Sequence, residues 1–230
     1  MRSVDLQIDE GERRVVLGPN GAGKTSLFNL IAGVESPSEG SIELFGKDVT
    51  FRGARHRARQ GLSRTFQTSR VLGGLTVEDN LYLSAIGVSG RHFRMIRTRR
   101  DVAARDRARE AAHQVGLDSR LDEPARDLSH GEQRQLDIAL ALAAKPRLLL
   151  LDEPAAGLSR SERLMLTSLL LSLDRDVTLI MIEHDMDVAL RVAEKVTMMH
   201  EGKVIVEGTP TEIRADQRVH DLYLGRTHEN

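Results

Sequence analysis

Apolar residues fall along this chain in two alternating rhythms. Arg13–Leu17 (RRVVL) is a short run with β-branched residues that ends in a glycine-rich stretch, as a strand entering a loop would. Leu27, Phe28, Ile31 and Ala32 then recur at helical spacing, and Gly33 stands where such a helix would stop. SIELFGKDV, between Gly40 and Gly46 and just beyond, alternates polar and apolar positions and predicts an exposed antiparallel strand. From about Val77 to Lys145 the spacing is mostly helical. Continuous apolar runs return at Arg147–Glu153 (RLLLLDE) and Val177–Ile182 (VTLIMI), the pattern of strands covered on both faces. Helical spacing over Leu164–Leu173 and Met186–Ala193 separates and follows them, and VTMMHEGKVIVEG predicts a hairpin turning at Glu201 and Gly202. Strands alternating with helices predict an α/β fold around a mainly parallel sheet.

The loop after the first strand carries chemistry. Gly18-Pro19-Asn20-Gly21-Ala22-Gly23-Lys24-Thr25 fits G-x-x-x-x-G-K-[ST], with Ser26 following it. Glycines let the backbone wrap so that successive N–H groups face an anion, and the helix that starts here turns its positive end the same way. Lys24 can reach the β/γ-phosphates of a nucleotide, and the Thr25 hydroxyl can ligate Mg²⁺. Asp152 and Glu153 end the second apolar strand, where ligands gather in open α/β sheets. Asp152 is expected to hold Mg²⁺ through water, and Glu153 to orient and polarise an attacking water. His184 closes the third strand, in IEHD, a position open to a structural histidine or to a γ-phosphate contact.

Composition narrows the rest. The 230 residues suit one domain or one domain with an insertion. A formal net charge of −1 speaks against nucleic acid as a partner, and the lack of cysteine excludes disulfides and thiolate metal sites. The first residues are acidic and carry no apolar core of a secretory signal. The longest apolar stretch, Leu136–Leu151, is interrupted by Asp137, Lys145, Pro146 and Arg147, so nothing predicts a membrane span. The chain is expected to be cytoplasmic; if it serves a membrane process, it docks on a partner that crosses the membrane. Arg91 to Glu110 holds eight arginines, expected to form a solvated helical arm, with lipid headgroups or a membrane partner as the alternative contact.

Leu128-Ser129-His130-Gly131-Glu132-Gln133 resembles the LSGGQ signature of ABC-transporter ATPases, and it lies between the phosphate loop and the acidic strand, as in that family. The resemblance covers nearly the whole chain. It implies a P-loop NTPase fold with an antiparallel β subdomain, a core of about 1–72 and 146–210, an inserted helical subdomain of about 73–145 and a tail over 211–230. It implies that Ser129, Gly131 and Glu132 face ATP held by a second cassette, the same chain or a relative. Gln67, in RTFQ, matches the family's glutamine that senses Mg²⁺ or water and touches the membrane subunit. Thr25, Gln67 and Asp152 then form the Mg²⁺ site, and Lys24, Gln67, Glu153 and His184 the catalytic set. Ala156-Gly157-Leu158-Ser159 falls at the D-loop, where Ser159 replaces the usual aspartate. SRTFQTSRVLGGLTVEDNL, DEPAAGL, IEHDMDVAL and HDLYLG are similar to importers of branched-chain amino acids and urea, which implies two permease subunits and an external solute-binding protein. The alternative is a regulatory or non-transport ABC protein with weak or no hydrolysis. One departure stands out: no Phe, Tyr or Trp precedes Phe28, so the family's adenine-stacking aromatic has no counterpart. Such stacking is worth ~1–3 kcal/mol in single-strand nucleic-acid binders, and the native start is expected to lie upstream.

Overall fold

The computed structural model describes residues 3–65, 71–87 and 99–224. In chain order its elements are β1 (Arg13–Leu17), α1 (Lys24–Ala32), β2 (Glu43–Leu44), β3 (Lys47–Asp48), α2 (Ala54–Arg59) and β4 (Leu62–Arg64). They continue as α3 (Val77–Gly87), α4 (Arg99–Gln114), α5 (His130–Leu142), β5 (Leu148–Asp152) and α6 (Arg160–Ser172). The chain closes through β6 (Thr178–Ile182), α7 (Met186–Val192), β7 (Lys195–His200), β8 (Lys203–Gly208), α8 (Pro210–Ala215) and α9 (Gln217–Leu224).

Six strands form one sheet in the order β4-β5-β6-β1-β7-β8, parallel except for β8, which runs back against β7. Alternation of side chains divides the core into two faces. Val16, Leu148, Leu150, Ile180 and Ile182 point to the face covered by Leu27, Phe28 and Ile31 of α1. Val15, Leu17, Leu149, Leu151, Leu179 and Met181 point to the other face, against α5, α6 and α7. Burial on both faces is why these strands read as unbroken apolar runs. On the second face the apolar cluster continues through α5 into Val77 and Leu81 of α3 and Ala104, Ala108 and Ala111 of α4.

Two expectations need correction. The alternating stretch after Gly40 is not one strand but a separate hairpin, β2 against β3. Phe45 and Gly46 turn it at φ values of 55° and 74°, the doubled positive φ of a type I′ turn. Glu201 and Gly202 (46° and 77°) repeat that geometry between β7 and β8. The arginine-rich arm is not simply solvated either. Arg105 pairs with Glu78 at 3.1 Å and Asp79 at 3.6 Å, Arg109 pairs with Glu78 at 2.8 Å, and Arg107 donates to the Ala85 carbonyl. These side chains fasten α4 to α3; positions 91–98 lie outside the described residues. No helix among the described residues is long and apolar enough to cross a membrane. The tail expected over 211–230 carries most of α8, and all of α9, with Ile213 and Val219 buried.

Candidate functional site

Strand register assembles the site. Val16 of β1 pairs with Ile182 of β6, and Ile182 pairs with Asp152 of β5, so three parallel strands end in one row. The phosphate loop, the acidic pair and His184 therefore leave the same edge of the sheet.

At that edge the loop from Gly18 to Gly23 bends back over β7. A Cβ on Gly18 would sit 2.2 Å from the Met199 carbonyl oxygen, so only glycine lets the loop pass so close. Lys24 is 6% exposed, and its ammonium donates to the loop's own Gly18 and Pro19 carbonyls at 2.7 and 3.0 Å. Burial lowers its pKa, against the opposing pull of Glu153 and Asp152. Those two carboxylates thus lie within electrostatic reach of the lysine. Ala22 is buried, Asn20, Gly21 and Thr25 are exposed, and Pro19, Gly23 and Ser26 are half-buried.

Glu153 begins the turn after β5. Its amide donates to the Ile182 carbonyl at 3.0 Å, while its φ of 49° is left-handed, a conformation costing a non-glycine residue ~1–2 kcal/mol. That bend takes the side chain out of the strand row toward His184, whose Nε2 lies 2.6 Å from Glu153 Oε1. Arg134 of α5 holds the turn from behind, donating to the Glu153 and Pro154 carbonyls at 2.5 and 3.0 Å. Asp152 is bound by Arg64 at 2.9 Å, and Arg64 also reaches Asn29 at 2.7 Å. Glu183, buried between β6 and His184, accepts the Ala155, His184 and Asp185 amides. Burial pushes its pKa up.

The residues fit Mg²⁺. Asp152 and Thr25 offer hard oxygen donors beside a phosphate-binding loop, and no cluster of three His, Asp or Glu suited to a metal exists among the described residues. Mg²⁺ bound through one or two side chains, phosphate and water needs no such cluster.

The signature stands apart from this group. Ser129 N-caps α5 in a reciprocal box: the Glu132 amide donates to its hydroxyl, and its own amide donates to Glu132 at 2.8 Å. Arg120 adds a bond to Glu132 at 3.1 Å. The backbone and side-chain bonds of Ser129, and the nearby Arg120, hold the Glu132 carboxyl below its ordinary range. Ser159 caps α6 in the same way with Glu162, whose Oε1 would lie 2.4 Å from a Cβ on Gly131. Gly131 thus lets the signature lie against the D-loop helix of its own chain. Gln67 lies outside the described residues.

Sequence reasoning thus finds the phosphate loop, Asp152, Glu153 and His184, which the fold brings together. It misses Arg64, Arg134 and Glu183. Glu183 has a legible signal, a carboxylate directly after five buried strand residues; Arg64 and Arg134 carry none.

Comparison with known proteins agrees with this geometry. A family profile described as ABC transporter matches residues 1–156, and one described as branched-chain amino acid ATP-binding cassette transporter matches 203–229. The branched-chain amino acid transport ATP-binding protein BraF of Pseudomonas aeruginosa is 33% identical over 98% of this chain and 91% of its own. The lipopolysaccharide export ATP-binding protein LptB of Escherichia coli is 32% identical over 98% and 90%. Among solved structures, the ATP-binding cassette MJ1267 superposes with a TM-score of 0.83 at 27% identity, covering 96% of this chain and 90% of that one. A dimeric cassette, MJ0796 with ADP and Pi, gives 0.74 at 27% identity over 90% and 89%. The chain therefore belongs to the ABC transporter family and is one of its ATP-hydrolysing cassettes.

Proposed function

We propose that this cassette drives an importer of branched-chain amino acids, or of a related small polar solute such as urea, at the inner face of the cytoplasmic membrane. It works as one of two cassettes beneath two permease subunits, with an external solute-binding protein delivering cargo. The observation that carries the site reading is the 2.6 Å contact between Glu153 and His184 beside the phosphate loop. Import is supported by the family profile over residues 203–229 and by the likeness to BraF; the likeness to LptB supports export as the second reading.

In this reading the loop amides from Gly18 to Gly23, with Lys24, Thr25 and Ser26, hold the ATP phosphates. Thr25, Asp152 and Gln67 would hold Mg²⁺, which would neutralise charge on the phosphates. Glu153 accepts the proton of the attacking water, and His184 holds the Glu153 carboxylate in line. Positioning and electrostatics do most of the work of phosphoryl transfer. Ser129 and the Gly131 amide donate to ATP held by the other cassette, with Glu132 fixing their geometry. ATP then closes the pair because it binds the closed form better. The core (1–72 and 146–210) carries the phosphate site and the helical part (73–145) the signature. Between them a cavity of about 430 Å³, lined by Val34, Ala58, Leu72, Leu83 and Leu140 among others, is where a permease loop would dock.

Mixing two inactive variants tests the shared pocket. Lys24→Ala and Ser129→Ala cassettes, each inactive alone, should together recover roughly a quarter of wild-type hydrolysis, since half of random dimers are mixed and each has one intact site. No recovery overturns the two-cassette site. Uptake of labelled leucine and urea by cells carrying Lys24→Ala tests the cargo: unchanged uptake of both refutes the importer reading.

A further inference from the structure

We infer that Glu183 is a positioning residue for hydrolysis, its buried carboxylate latching the turn behind Glu153 to the loop that carries His184. The inference rests on the roles given above to Glu153 and His184.

Paired strands hold these two loops together only as far as Asp152 and Ile182, the last partners of β5 and β6, and the single bond from the Glu153 amide to the Ile182 carbonyl. Beyond that row the backbones part. Glu183 bridges them. Its Oε1 accepts the Ala155 amide at 2.7 Å, on the β5 side, and its Oε2 accepts the His184 and Asp185 amides at 3.0 and 3.2 Å, on the β6 side. The residue is 2% exposed.

A carboxylate here is an expensive choice, since burial disfavours its charge. What it offers is acceptance at both ends. An amide side chain has one accepting end and one donating end, and a hydroxyl is too short to span two loops. Only an acidic side chain of this length satisfies amides from both loops at once. The turn it grips is the one with the left-handed residue Glu153, and such conformations persist where surrounding contacts over-determine them. Arg134 fixes that turn by its carbonyls and Glu183 by an amide two residues on. Because the same carboxylate holds the His184 amide, one side chain tethers both loops.

Glu183→Gln keeps the volume and turns one acceptor into a donor facing an N–H. In the full cassette, steady-state phosphate release should show kcat down by ~10-fold, the scale of a misplaced catalytic group. KM for ATP and the affinity for a fluorescent ATP analogue should stay within about twofold. In a His184→Ala background the same substitution should cost less than about twofold, because two residues acting through one contact are not additive. A kcat within twofold of wild type overturns the inference. So does a full loss that persists in the His184→Ala background, or one matched by weaker nucleotide binding. If Glu183→Gln does not fold, Glu183→Asp, which keeps both acceptors but shortens the reach, is judged by the same cycle. Unimpaired hydrolysis by Glu153→Gln and His184→Ala themselves would overturn the site reading and this inference together. Normal Glu183→Gln beside inactive Glu153→Gln removes the latch alone.

Discussion

The two edges of the central sheet both bury charge, and they do so to opposite ends. At the edge where the strands begin, Arg13 and Arg14 are 3% and 2% exposed. Arg14 is locked by Glu12, Glu207, Thr197 and the Gln7 carbonyl, and Arg13 by the last carbonyls of α6. These partners lie far from the phosphate loop, on the strand starts and the elements packed around them. At the edge where the strands end, Lys24 rests on its own loop's carbonyls, Asp152 on Arg64 and Glu153 on His184. Those bonds are ones a triphosphate, a divalent cation and a water can replace. Charge buried for good stabilises a fold; charge buried on exchangeable partners makes a site.

Breaking that contrast should give separable losses. The largest belongs to the exchangeable edge. Lys24→Ala should lower kcat by ~100-fold or more, as loss of a phosphate clamp does, and Glu153→Gln by a similar factor for loss of a general base. Both should melt within ~3 °C of wild type by calorimetry, and Glu153→Gln should elute as a dimer when ATP is present. A Glu153→Gln cassette that still turns over would assign the base elsewhere. The next effect belongs to the closed edge. Arg14→Met leaves the buried Glu12 with Lys195 at 3.5 Å and the Asp9 amide at 3.3 Å, a loss of ~3 kcal/mol or ~6–12 °C in Tm. The fraction that stays folded should hydrolyse ATP at near the wild-type kcat. Inactivity of the folded fraction would erase the distinction between the edges.

How much of this was legible in the chain depended on whether a feature is local. The phosphate loop, β1, β5 and β6 were readable because each is a short run whose pattern and end residues carry the reason for its shape. The start of α6 was not. Ser159 reads as a D-loop residue by resemblance, while its capping box with Glu162 starts the helix at Arg160, four residues before the apolar spacing begins. Arg64 and Arg134 could not be read at all. Their partners lie 88 and 19 residues away, and an arginine in a polar stretch looks the same whether it meets water or a catalytic backbone. Arg13 and Arg14 were invisible for the same reason, since a strand that opens with two cations reads as one that starts in solvent.

Two smaller effects sharpen the comparison. Arg64 competes for Asp152 in a pair whose side chains are each 10% exposed, so Arg64→Gln should lower the Mg²⁺ concentration for half-maximal hydrolysis by roughly threefold or more and also cost stability, as removing one partner of a buried pair does; an unchanged Mg²⁺ titration would place the cation away from Asp152. The smallest concerns Glu212, whose carboxyl is held below its ordinary range by the Thr209 backbone and side chain in the α8 capping box. A lowered pKa contributes stability above the unfolded value near ~4.3 and loses it as pH falls through the folded value. Glu212→Gln should therefore melt slightly below wild type at pH 7 and level with it once the carboxyl is protonated in acid, with ATPase activity unchanged. A gap that persists in acid would locate its cause outside ionisation.

Arg134 sits two residues after Glu132, so the start of one helix ties the signature's capping box to the backbone of the turn at Glu153. In the proposed pair of cassettes the cap would face one nucleotide and the turn at Glu153 the other. One stretch of helix thus serves as a shared footing for both, so a substitution that displaces it disturbs the two together.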